Sequence, residues 1–127
     1  MQPSIEGILK LIDEVLQLLK KSKLKVSENI EITDHEKQGE IYVLDMVRNF
    51  CIRVRKELVA EKWPKRPVRA MRSTALFRAI EDMGWYSHFD DSDNEANRAF
   101  RLFEKVKKSY RRLPEVQGNV DGSNREE

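Results

Sequence analysis

Apolar residues recur every third or fourth position along most of this chain, a spacing that suits packed helices and little else. Ile5, Ile8, Ile12, Val15 and Leu19 open the series, with Leu9, Leu11, Leu16 and Leu18 beside them. At about 100° per residue they cover half of a helix, and Glu6, Lys10, Asp13, Gln17 and Lys21 take the other half. Ser4 is the expected N-cap. A second series, Ile41, Leu44, Val47, Cys51, Val54 and Leu58, predicts a long helix from an N-cap at Asp34 to about Lys62. Tyr42, Met46, Phe50, Ile52 and Val59 widen its apolar surface, so this helix is expected at the centre of a bundle.

Trp63-Pro64-Lys65-Arg66-Pro67 should end that helix, because the second proline disfavours helical geometry at Arg66. A third helix is predicted from about Val68 to Met83, with Met71, Ala75, Leu76, Ala79, Ile80 and Met83 inward and Gly84 closing it. Trp85, Tyr86, His88 and Phe89 form an aromatic connector, expected to pack. Asp90 to Asp93 offer capping carboxylates for a fourth helix that buries Ala96, Ala99, Phe100, Phe103, Val106, Tyr110 and Leu113. Residues 20–33 read as a long connection, in which Ile30 and Ile32 alternate with acids. Past Val116 the chain is polar. The reading is therefore an all-α, four-helix bundle-like domain over 1–115, with a long helix 1–2 connection and a disordered tail over 116–127.

Composition agrees. The 127 residues include only 5 Gly and 4 Pro, too few for a turn-rich β fold, and 36% are charged against 39% apolar. An average chain is about 25% charged, so the helices should be slim and largely surface. A single cysteine, Cys51, excludes an intramolecular disulfide and a Cys-based zinc site. Lys10, Asp13 and Glu14 break the first apolar run, which argues against a signal peptide or a membrane span. An intracellular protein, cytoplasmic or nuclear, with no membrane partner is expected.

Catalytic signatures are absent. His35 and His88 are the only histidines, no Ser-His-acid or Cys-His spacing occurs, and no Gly-rich phosphate loop is present. Asp90-Asp91-Ser92-Asp93-Asn94-Glu95 lacks the turn glycine of a calcium loop. No enzyme, catalytic residue, metal or cofactor is expected.

The net charge of +2 conceals segregation of 24 basic and 22 acidic residues. Arg98, Arg101, Lys105, Lys108 and Arg112 recur at spacings of three, four, three and four, which places them on one stripe of the fourth helix about 150° from its apolar face. Lys107 and Arg111 flank the stripe. Like charges at these spacings repel, whereas alternating signs would stabilise the helix. A second cluster, Lys65, Arg66, Arg69 and Arg72, lies in a stretch without acids. Arg69 and Arg72 fall early in the third helix, where the macrodipole disfavours cations. Both clusters are read as sites for nucleic-acid phosphates, RNA or DNA without sequence specificity, and they merge into one patch if the loop lies beside the fourth helix. The competing expectation is a protein–protein adaptor or inhibitor whose charged blocks meet an acidic protein surface, or a second copy in a homo-oligomer.

Overall fold

A computed structural model describes residues 4–82 and 95–115. Within them the chain is all-α: α1 (Ile5–Glu28), α2 (Asp34–Ala60), α3 (Arg66–Asp82) and α4 (Glu95–Arg111). The aromatic connector, the capping carboxylates before Glu95 and the tail beyond 115 lie outside the described residues.

Helix α1 starts where Ser4 accepts a hydrogen bond from the Gly7 amide. It runs nine residues beyond Leu19, so the long connection expected from Lys20 shrinks to residues 29–33. The reason is visible in the stripe itself. Ser22 and Val26 continue Val15 and Leu19 at helical spacing; Ser22 is buried and donates its hydroxyl to the Leu18 carbonyl at 2.9 Å. Lysines between them are good helix formers. Ile30, read as part of a short extended piece, lies in the turn with 93% of its surface exposed.

Helix α2 is capped by Thr33 rather than Asp34. Thr33 accepts from the Glu36 amide and Glu36 accepts from the Thr33 amide, a reciprocal pair that satisfies two otherwise orphaned donors. The helix ends at Glu61, whose φ of 56° is left-handed and which lets the next amide, Lys62, bond back to the Glu57 carbonyl. A side chain in that region is strained, and Glu61 holds it without being glycine.

Helix α1, not α2, has the most extensive packing, lying between α2 and α4 and antiparallel to both. Arg55 reaches Asp13 and Lys23 reaches Asp45 along one flank, each at 3.1 Å. Lys25 pairs with Glu95 on the other. Ile8, Ile12, Val15 and Leu19 meet Val47, Cys51, Val54, Ala99, Phe103 and Val106 in the core. Phe50 sets its ring edge-on to Phe103 and to Tyr110, at 5.6 and 5.9 Å between centroids, a geometry favoured by the ring quadrupoles.

Helix α3 packs at the end of this assembly, and its expected inward face holds only in part. Ile80 is buried and Leu76 packs against the core as expected, but Met71 is 64% exposed and Ala75 is exposed, while Arg69 and Ser73 are buried. Apolar residues are spread evenly around α3, so periodicity carries little information there. Two arginines supply what the pattern lacks.

Candidate nucleic-acid interface

The two basic clusters have opposite fates. Arg69 is fully buried. Its guanidinium donates to the carbonyls of Pro64 at 2.8 Å, Tyr110 at 2.7 Å and Leu113 at 2.9 Å, and to the Glu115 carboxylate at 3.3 Å. Tyr110 and Leu113 lie at the C-terminal end of α4, where helix carbonyls have no intrahelical donor and carry the negative end of the dipole. Glu115 in turn accepts from the Arg66 amide at 3.1 Å, at the first turn of α3. Each helix end is thus capped by the charge that suits it, supplied from the other's neighbourhood. The placement that looked unfavourable for α3 is favourable for α4.

Arg72 is drawn inward as well. It donates to Glu57 at 2.6 Å and to the Tyr110 hydroxyl at 3.1 Å, and Tyr110 donates to the second Glu57 oxygen at 2.6 Å. Burial, followed by the hydrogen bond to Glu57 and its charge, pushes the Tyr110 phenol well above its ordinary value, outweighing the nearby Arg72 cation. Burial works against the charge of Arg72, but Glu57 and Tyr110 more than offset it and its pKa is raised. For Arg69 desolvation wins over Glu115 and lowers the value; a guanidinium starts so high that it stays charged. Trp63 completes this end, buried and donating from its indole nitrogen to the Pro114 carbonyl at 2.8 Å. Arg69 is therefore removed from the expected interface, its guanidinium committed to protein acceptors, and Arg72 is held by Glu57 and Tyr110 through one nitrogen while its side chain stays partly exposed. Lys107, a flank of the stripe, is also withdrawn. It is buried beside Glu104 at 2.9 Å, with its ammonium 5.2 Å from the ring centroids of Phe77 and Phe103.

The remaining cations stay outside. Arg98, Arg101, Lys105, Lys108 and Arg112 are all exposed, and Ala99, Phe103, Val106 and Tyr110 occupy the buried side of the same helix. Arg98 pairs with Glu95 at 3.8 Å, and Glu95 is shared with Lys25. That lysine's hydrogen bond holds the Glu95 carboxyl below the usual carboxylate range. From Arg98 to Arg112 the row is about 21 Å long at 1.5 Å per residue.

Comparison with protein-family models, curated proteins and solved structures yields no match.

Lys65 and Arg66 are exposed at the end of the bundle where α4 terminates, as the bond from Arg66 to Glu115 requires. The loop cluster thus contributes two cations rather than four. A further contribution, not assigned to the site from sequence, comes from α1. Lys21 lines a groove of about 320 Å³ together with Glu14, Gln17 and Leu18 of α1 and Arg98, Arg101 and Lys105 of α4. The signal was present as the lysine-rich stretch from Lys20 to Lys25, but reading it as a connection left its direction undefined. Elsewhere, Cys51 is fully buried and desolvation pushes its thiol up to about 12. No described helix is long and apolar enough to cross a membrane.

Proposed function

We propose that the protein binds the phosphate backbone of nucleic acid through the outer face of α4. One observation carries this reading: five exposed cations in register on a rigid helix whose opposite face is locked into the core. A strand of duplex places a phosphate about every 3.4 Å of axis, so a 21 Å row runs alongside roughly six of them. The side chains are arginines and lysines with long stems, suited to phosphate oxygens rather than to a unique base edge. Binding without sequence preference follows.

The test is titration of the full chain with labelled duplex and single-stranded DNA and RNA at rising salt. Affinity should fall steeply, with a log–log slope of about −0.9 for each duplex phosphate neutralised. Arg101→Glu with Lys105→Glu should weaken binding at least tenfold while leaving helicity unchanged. An absence of binding to all four polymers at low salt overturns the proposal.

A further inference from the structure

Resting on that reading, we infer that the ligand is a duplex, contacted on both strands by a cationic face that spans three helices. The helix α4 row is one arm of this face. The other arm crosses the bundle. Lys21 shares the α1–α4 groove with Arg98, Arg101 and Lys105, and Lys20 and Lys21 line one depression on the crest of α1. Lys20 then lines the α1–α2 groove, a depression of about 690 Å³ whose far wall carries Arg48. Lys20, Lys21 and Arg48 are all exposed.

Adjacent helix axes lie about 8–10 Å apart, so the transverse arm takes two steps of that size, from α4 to α1 and from α1 to α2. Among the described residues lining the grooves, the acids are Glu14 in one and Asp45 in the other, where it is engaged by Lys23; Glu95, beside Arg98, is engaged by Lys25.

Shape decides the ligand. A single strand follows one row of charge and commonly gains affinity by stacking its bases on exposed aromatic rings. Among the described residues, no aromatic side chain lines either groove or the α1 depression. A duplex presents two phosphate rows separated across its grooves by about 6 or 12 Å. Cations spread over three helices, in steps of about 8–10 Å, reach both at once, with α4 along one strand and Lys20, Lys21 and Arg48 toward the other. Helices α1, α2 and α4 are packed through one core, so the two arms are held at fixed separation.

The experiment compares a duplex of about 20 base pairs with either of its strands, by fluorescence anisotropy with the full chain at fixed moderate salt. Wild type should prefer the duplex at least fivefold. The triple variant Lys20→Glu, Lys21→Glu, Arg48→Glu should lose at least tenfold on duplex and less than threefold on single strand, since the α4 row survives. Arg101→Glu with Lys105→Glu should weaken both polymers. Circular dichroism and thermal melting confirm that each variant is folded, and the milder Lys20→Gln, Lys21→Gln, Arg48→Gln set replaces any that is not. Equal or tighter binding of the single strand, or a duplex affinity unmoved by the α1–α2 substitutions, overturns the inference while leaving the phosphate-binding proposal standing. If no polymer binds even at low salt, both fall.

Discussion

The start of α3 and the outer face of α4 are equally rich in arginine and lysine, yet they solve different problems. At α3, Arg69 and Arg72 reach into the molecule and meet helix-end carbonyls and Glu57. On α4, Arg98, Arg101, Lys105, Lys108 and Arg112 point the opposite way from the core and remain in water. The difference lies in what each position faces. A guanidinium can be buried only where enough acceptors surround it to replace its hydration, and the junction of α3 with the end of α4 offers three carbonyls and a carboxylate. Among the described residues that line the groove beside the α4 stripe, Glu14 is the one acid. Basic residues near one another in sequence therefore do not share a role.

That contrast can be broken most forcefully at Arg69. Arg69→Met should destabilise the fold by about 3–5 kcal/mol in urea titration, since it strands several buried carbonyls at once. A loss under 1 kcal/mol would mean the junction is wetter than its geometry implies. Next in size is Tyr110→Phe, expected to cost about 1–2 kcal/mol through the lost hydroxyl bonds to Glu57 and Arg72. This variant also carries a pH signature. Because the native phenol is held above its ordinary value, the unfolded chain releases that proton first as pH rises past about 10. The tyrosine's contribution is complete below that pH and is lost above it. Wild type should lose stability there more steeply than the Phe variant, as measured by denaturant midpoints across alkaline pH.

On the other side of the comparison, Lys105→Ala and Lys108→Ala should each change stability by less than about 0.5 kcal/mol, as exposed positions do, while each lowers affinity for nucleic acid. A larger stability loss would show these cations to be structural, like Arg69. Cys51 offers a check on the core between the two regions. Its thiol should resist alkylation at pH 8 for as long as the fold persists and react readily in denaturant, because burial hides the sulfur and suppresses the thiolate. Rapid labelling of native protein would show that the helices part far more often than their packing suggests.

Legibility in the sequence followed the strength of the local pattern. Over its described residues helix α4 was readable apart from the burial of Lys107, since Ala99, Phe103, Val106 and Tyr110 form a clean stripe and the exposed cations form its complement. Helix α2 was readable except for its cap, although Thr33-x-x-Glu36 carried that signal too. The second half of α1 was obscured by lysines flanking Ser22 and Val26, two residues that bury on the stripe without being strongly apolar or fully enclosed. Helix α3 misled most. Its buried side is built from Arg69, Ser73 and Ile80, and an arginine is ordinarily a surface residue. Of the candidate site, the α4 row was read from spacing, while Lys20, Lys21 and Arg48 became visible only when α1, α2 and α4 were brought side by side.

Periodicity alone determined that this chain is helical and which side of its strongest helices turns inward, because apolar burial at 3.6-residue spacing is a property of neighbours along the chain. Which cations reach solvent was decided by tertiary structure. A positive side chain goes where its acceptors are, and apart from the Pro64 carbonyl, five residues from Arg69, the carbonyls and carboxylates that claimed Arg69 and Arg72 come from segments some 15 to 46 residues away. No local pattern encodes that meeting.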